Sequence, residues 1–498
     1  MEQNYYEVYI KRTRMKKEFI TNEELMALGI TDDKMLKRFH RVSNGIVNNN
    51  VMEKEVVLTN LASLLRAPFL YNDKWNKLKN LADMVIEMYE KGKWQIDEGN
   101  VYNLKMEEPV YEIYGKEGIE EGALKQMDVA MRLPIALAGA LMPDAHHGYG
   151  LPIGGVLATE PDKIIPYAVG VDIACRMCMT IYDMPATTID TQGDLLKKLL
   201  LDNTVFGTGA TTKIKYDSSI LDKPEWDSID IVRNLKDKAY GQLGTSGTGN
   251  HFVEWGVVEV FETTTELNVP PGKYLALLSH SGSRGFGGTI AGYYSRLAMQ
   301  KTKLPEHAKH LAWLDMGTEE GMEYWIAMNL AGDYASANHH EIHNKISKAL
   351  GVKPVRWIEN HHNFAWKEKL ADGRDVMVHR KGATPASETD LGIIPGSMTA
   401  PGFIVKGRGH INSINSASHG AGRQMSRTKA IKTLSKEDMK IELKKNKVTL
   451  IGSDLDESPF AYKDINEVMA MQTELVDILA RFMPRIVRMA DGREKAED

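Results

Sequence analysis

Residues 142–156, MPDAHHGYGLPIGGV, and 170–175, GVDIAC, carry the reading of this chain. The second stretch sets Asp172 three residues ahead of Cys175, one of only two cysteines in 498 residues. Downstream, three compact stations carry histidine: Gly249-Asn250-His251-Phe252, Ser279-His280-Ser281-Gly282-Ser283-Arg284-Gly285 and His361-His362-Asn363. One carboxylate, one thiolate and three imidazoles make a ligand set for two divalent transition metals sharing a sulfur. That mixture favours Mn, Fe, Co or Zn, because Mg and Ca want only oxygens. The bridging thiolate would offset part of the repulsion between two cations, and paired cations clamp the oxygens of a phosphate under attack. A histidine taken alone is more often a hydrogen-bonded structural group than a ligand. Three in Gly-, Asn- and Ser-rich segments beside Asp172 and Cys175 shift that balance. Cys175 and Cys178 also form one C-x-x-C, a weak redox or zinc signal without a second pair. Cys178 reads instead as a small buried hydrophobe.

Three loops offer what anionic oxygens need: Ser281-Gly282-Ser283-Arg284-Gly285, Arg380-Lys381-Gly382-Ala383-Thr384 and Pro395-Gly396-Ser397-Met398. Glycine lets backbone N–H groups approach closely, hydroxyls donate, and Arg or Lys supplies charge. Each loop is weak alone; together they point to a nucleotide phosphate site. Ser418-His419-Gly420-Ala421-Gly422-Arg423 suits phosphate chemistry better than ligation. A neutral imidazole nitrogen is a nucleophile toward a nucleotide α-phosphate and would give a phosphoramidate. Arg423, four residues on, could stabilise charge developing on that phosphate. Spacing alone leaves a general base or a further metal ligand open for His419.

Composition sets the class. With 43% hydrophobic and 26% charged residues, the chain can bury a large core and reads as soluble and globular. The net charge of -5 argues against a broadly basic nucleic-acid coat and is silent on a local basic groove. No apolar run reaches the length of a membrane span, and the first residues, Met1-Glu2-Gln3-Asn4-Tyr5-Tyr6, lack the apolar core of a signal peptide. Two cysteines build no disulfide framework, so a reducing cytoplasm is expected. The 26 methionines read as core filler.

Residues 1–97 differ from the remainder: glycine is scarce and charged helical patterning dominates. Helices are expected over Asn22–Leu28, from a Thr31 or Asp32 N-cap through Phe39, and over Asp73–Lys91 with Trp75, Leu78, Leu81, Val85, Ile86 and Tyr89 at helical spacing. The segment Lys93–Gly99 is the expected connection to a second domain, 98–498. There, runs such as Tyr274–Leu278 and Val448–Ile451 read as buried strands, and Met322–Leu350 as a helix bearing Asn338, His339, His340 and His343. Those histidines, and the lysine-dense Lys429–Lys447 region, read as solvated faces. So does the basic cluster Lys11, Arg12, Arg14, Lys16 and Lys17, with Lys34, Lys37, Arg38 and Arg41 beyond it; a substrate-recruitment module is the alternative.

Over about residues 100–485 the chain resembles the RtcB-type RNA-splicing ligases. The matching stretches include 142–156 and GVDIAC, then GTGNHFVE (247–254), HSGSRGFG (280–287), HHNFAWKE (361–368), HRKGAT (379–384), IPGSM (394–398), SHGAGRQMSR (418–427) and DESPFAYKDINEVM (456–469). So many motifs in one order are far more specific than any single one. The resemblance implies a mixed α/β fold and a GTP- and Mn2+-dependent enzyme. It would join RNA ending in a 3′-phosphate or 2′,3′-cyclic phosphate to RNA beginning with a 5′-hydroxyl. It implies that Asp172, Cys175 and His251 hold one metal, and that Cys175, His280 and His362 hold the other. It implies that His419 carries GMP, that Asn250 and Glu254 belong to the nucleotide site with Arg380, Lys381, Ser397, Gly420 and Arg423, and that Asp144 assists proton movement. An archease-like activator is a further expectation. Two departures stand out: Pro385 replaces a usual Arg, and the final segment has no lysine where the family's tail contacts guanylate, leaving Arg488 as the substitute. They make two other readings worth stating: a nucleotidyltransferase that caps 3′-phosphate ends without sealing, and a metal-bound RNA-binding protein without turnover.

Overall fold

Alternation along Gly272–Ser281 shows how the larger domain is built. Leu275 and Leu277 enter one core while Ala276 and Leu278 enter another, and all four are fully buried. A strand covered on both faces reads as a continuous apolar run, which is why this segment is legible as a strand. The computed structural model describes residues 19–49, 54–66, 68–71, 76–94, 99–212 and 216–492. The chain divides into two compact units between Gly99 and Asn100.

In the first unit the described helices are α1 (Asn22–Ala27), α2 (Asp33–Asn48), α3 (Lys54–Arg66) and α4 (Lys79–Glu90). Thr21 and Glu24 cap α1 reciprocally, each side chain accepting from the other's backbone N–H. Asp32 caps α2 by accepting from the Met35 N–H at 2.8 Å. Met35, Phe39, Ile46 and Val47 form the buried stripe of α2, and Leu81, Ala82 and Val85 that of α4. Helix α4 is shorter than the expected Asp73–Lys91. Trp75, the cluster from Lys11 to Lys17 and residues 95–98 of the connection lie outside the described residues.

The second unit is mixed α/β. Its larger sheet has eight strands. The five-stranded sheet uses β1 (Ala136–His146), β2 (Ile153–Thr159), β7 (Asn363–Lys369) and β8 (Asp375–Lys381), in the order β7-β8-β2-β1, with Glu112–Ile113 at the edge. In the eight-stranded sheet, β3 (Arg176–Pro185), β4 (Phe252–Val260), β5 (Gly272–Ser281) and β6 (Pro354–His361) lie in the order β6-β3-β5-β4, each antiparallel to its neighbour. The sheet continues through a long strand, Val476–Asp491. The two short strands Ala383–Pro385 and Ser416–Ser418 pair antiparallel. Helix α5 (Glu319–Leu350) packs Ile342 and Ile346 into the same core as Leu275 and Leu277.

Helix α5 carries the expected histidines, but His339 and His343 are buried rather than solvated. They join Ser279, Thr180 and the Ser281 carbonyl in one hydrogen-bonded chain, every link between 2.6 and 3.1 Å. Cys178 lies beside them, close enough for its sulfur and the two rings to hold a metal, but all four ring nitrogens already have partners. This is a satisfied buried polar network. Among the described residues no helix is long and apolar enough to cross a membrane.

Five apolar clusters described in the second unit are each built from that unit's own residues, Tyr102 being the first of them in sequence. Residues 100–498 expressed alone should therefore fold cooperatively, with a single thermal transition by circular dichroism. A molten, non-cooperative fragment would show that the first hundred residues complete this core.

Candidate active site

Strand order explains how residues far apart in sequence meet. Because β6, β3, β5 and β4 alternate in direction, His361 faces Arg176, Arg176 faces Ser281, and Phe252 faces His280. The start of β3, the start of β4, the end of β5 and the end of β6 thus share one edge. Cys175 and His251 lie just before their strands, His280 is the penultimate residue of β5 and His362 follows β6. Backbone bonds tie the pieces together: the His362 N–H donates to the Cys175 carbonyl at 3.0 Å, and the Ala174 N–H to that of Asn363 at 2.7 Å. Ala174 sits at φ 56°, a left-handed conformation costly for alanine that the surrounding bonds hold.

At this edge the Cys175 sulfur lies 3.0 Å from His280 Nε2 and 3.5 Å from His251 Nε2. His280 Nε2 is 3.4 Å from His362 Nε2, and His251 Nε2 is 3.0 Å from Asp172 Oδ2. The other ring nitrogens fix the tautomers. His251 Nδ1 donates to the Ser246 carbonyl at 2.9 Å, and His280 Nδ1 to that of Asn250 at 3.1 Å. Both Nε2 lone pairs therefore point at a carboxylate, a sulfur or another imidazole. Acceptors facing acceptors in a buried site need a cation between them. Burial pushes His280 down to about 3 and His362 well below the ordinary imidazole range, which keeps both neutral and ligand-competent. Burial raises the Asp172 carboxyl, but its bond to His251 and the Arg284 charge pull it lower overall. Two groups form, Asp172-Cys175-His251 and Cys175-His280-His362, with Cys175 common to both.

His419 follows the short strand Ser416–Ser418, and its ring centre is 4.8 Å from that of His362. Asp144, on β1 and fully buried, accepts from His419 Nδ1 at 2.7 Å and from the His419 and Gly420 backbone N–H groups at 3.1 and 3.3 Å. Burial raises the Asp144 carboxyl, yet the His419 ring and the Lys463 charge bring it below the carboxylate norm. The proton on Nδ1 is thereby fixed, and Nε2 keeps its lone pair. Gly422, at φ 72°, passes so close to Asp144 that a Cβ would stand 2.0 Å from its carbonyl oxygen.

A cavity of about 690 Å³ opens beside these groups. Asn250, Glu254, Lys381, Ser397, Gly420 and Arg423 line it, together with Asp172, Cys175, His280, His362 and His419. Burial holds Glu254 well above the carboxylate range and brings Lys381 down to about 7. Arg423 reaches the wall with its guanidinium committed to Glu457, the Tyr462 hydroxyl and the Asp456 carbonyl.

Several expected residues fall elsewhere. Arg380 is buried away from this cavity, paired through both terminal nitrogens with Glu368 and lying over the Trp366 ring. The Ser281–Gly285 loop is not an open anion cradle: Ser281 and Ser283 donate to the Ser246 and Ile173 carbonyls, and Arg284 bonds Thr245. Arg488 does not replace the missing lysine. Strand alternation turns Val487 and Met489 to the cavity and Arg488 to the opposite face, where it donates to the Leu200 carbonyl over Phe206. Pro385 lines a separate cavity with Arg380 and Trp366. Asn363, cited in the sequence only as a flank of His362, bridges the Asp172 carbonyl and the Gly382 N–H. His146, in the wall, meets the Asp144 carbonyl at 3.1 Å. Neither has a spacing signal of its own.

A family model, tRNA-splicing ligase RtcB, matches residues 126–490. The RNA-splicing ligase RtcB of Escherichia coli (strain K12) is 35% identical over 402 residues, covering 72% of this chain and 92% of that protein. The tRNA-splicing ligase RtcB of Nanoarchaeum equitans is 30% identical over 475 residues, covering 81% and 98%. That of Methanococcus maripaludis is 30% identical over 439 residues, covering 74% and 90%.

Gly282 abuts Asp172 so closely that a Cβ would lie 2.1 Å from Oδ1. Gly282→Ala should displace that carboxylate and weaken binding of an added divalent transition metal by about 10-fold or more, measured by calorimetry with circular dichroism as the folding control. Unchanged affinity in a folded variant would remove Asp172 from the ligand set.

Proposed function

The chain belongs to the RtcB family of splicing ligases, and on that premise we propose that it seals RNA 3′-phosphate or 2′,3′-cyclic phosphate ends to 5′-hydroxyl ends by way of a GMP–His419 intermediate. The observation that carries this reading is the 2.7 Å bond from His419 Nδ1 to the buried Asp144, beside the thiolate–imidazole cluster. The ligand set suits two manganese ions: Asp172, Cys175 and His251 would hold one, and Cys175, His280 and His362 would hold the other. Bound there, such ions supply Lewis acidity toward phosphate oxygens.

The chain's own groups set the order of events. His419 Nε2 attacks the GTP α-phosphorus, a P–N bond forms and pyrophosphate leaves. The ring becomes cationic, and the Asp144 carboxylate offsets that charge. An oxygen of the RNA 3′-phosphate then attacks the same phosphorus and breaks the P–N bond, which restores neutral His419 and leaves GMP on the RNA end. A 2′,3′-cyclic end must first be opened by water. The 5′-hydroxyl attacks the activated 3′-phosphorus, gives up its proton, and GMP departs. Asn250, Glu254, Lys381, Ser397 and Gly420 form the nucleotide-binding wall in this scheme, and Arg423 steadies the phosphates while anchored by Glu457. A free cysteine at the centre supports a reducing, cytoplasmic setting. An archease-like protein is the candidate activator.

Incubation with Mn2+ and α-labelled GTP should label the protein covalently. His419→Ala should abolish the label, and Asp144→Asn should slow its formation by about 100-fold or more. Persistent labelling of His419→Ala would remove that histidine as nucleophile.

A further inference from the structure

The rim of the catalytic cavity presents an aromatic ring that none of these steps uses. Tyr149 lines the cavity yet is 70% exposed. An exposed tyrosine alone is unremarkable, since much of any protein surface is apolar. This one differs in how firmly its backbone is held. The Gly148 N–H donates to Gln126 Oε1 at 3.0 Å, and Gln126 Nε2 donates back to the Gly148 carbonyl at 2.5 Å. Lys381 Nζ donates to the Tyr149 carbonyl at 2.5 Å. Gly150, at φ 71°, packs so tightly on His310 that a Cβ would sit 2.9 Å from its carbonyl oxygen. The Tyr149 ring meets His310 edge-on at 6.1 Å, and His310 meets Tyr167 the same way at 4.8 Å. The ring is thus braced on one side and open to solvent over most of its surface.

Its place relative to the nucleophile is also fixed. Lys381, which holds the Tyr149 carbonyl, precedes Gly382, where a Cβ would lie 3.2 Å from His419 Cε1. One side chain therefore couples the rim to the backbone under His419. A rigid aromatic face beside a phosphate-handling centre suits a nucleobase, because every base has a π-face and a pre-ordered ring loses little entropy on stacking.

We infer that Tyr149 is a stacking platform for the base of the terminal nucleotide on the RNA 3′-phosphate strand. This rests on the ligase reading above. The 3′-phosphate strand is the one that must stay aligned through both end activation and sealing, so a fixed platform serves it twice. Tyr149 is a positioning residue with no part in forming or breaking bonds.

The test uses the full chain with GTP, Mn2+ and RNA strands whose terminal nucleotide carries a base or is abasic, first on the 3′-phosphate strand and then on the 5′-hydroxyl strand. Tyr149→Phe should seal within about twofold of wild type, because stacking needs the ring and not the hydroxyl. Tyr149→Ala should raise KM for the 3′-phosphate strand about 5- to 100-fold while self-guanylylation, which involves no RNA, stays unchanged. An abasic 3′-phosphate end should cost the wild type a similar factor and cost Tyr149→Ala nothing further. Independent penalties, or coupling that follows the 5′-hydroxyl strand, would overturn the platform while leaving the ligase reading intact. A wild-type protein that neither labels nor seals would overturn both.

Discussion

One end of four antiparallel strands within one sheet carries the candidate centre. Four adjacent strands terminate there in register, and each delivers a side chain at or next to its last paired residue: Cys175, His251, His280 and His362. The arrangement needs a rigid frame, because ligand atoms 3.0–3.5 Å apart tolerate little drift. Strands buried on both faces provide it. Shifting any of these strands by one residue would turn its side chain to the opposite face and take a ligand away.

Electrostatics follows from that frame. Backbone carbonyls of Ser246 and Asn250 occupy the Nδ1 protons of His251 and His280, so the lone pairs converge on the sulfur and the carboxylate. The same device recurs at His419, where the partner is the buried Asp144. In both places a second group decides which nitrogen is free. Asp144 also accepts two backbone N–H groups, so the loop that carries His419 is fixed by the carboxylate that orients its ring.

Positive charge was the least reliable guide to the site. Arg284, Arg380 and Arg488 sit in glycine-rich or tail segments that suit anion binding on paper, and each is spent inside the fold: on Thr245, on Glu368 and on the Leu200 carbonyl. A guanidinium can satisfy a buried carboxylate or carbonyl as well as a phosphate, and nothing in local sequence separates the two uses. His339 and His343 of the long helix depart from the solvated reading for a related reason, whereas His340 stays exposed. A polar residue on a helix looks solvated until the facing strands supply Ser279 and Thr180 to pair with it.

The sequence by itself determined the element types, the glycine-rich turn stations and the family, because apolar periodicity, caps and ordered motifs are local properties that survive without coordinates. It also singled out Asp172, Cys175, His251, His280, His362 and His419 through residue chemistry and motif order. Only the tertiary structure decided which side chains face one another, that Arg488 points away while Val487 points in, and that Asn363 and Glu457 brace the site. Those choices depend on strand register and on partners more than a hundred residues distant for Asn363, and no local pattern encodes a pairing across that separation.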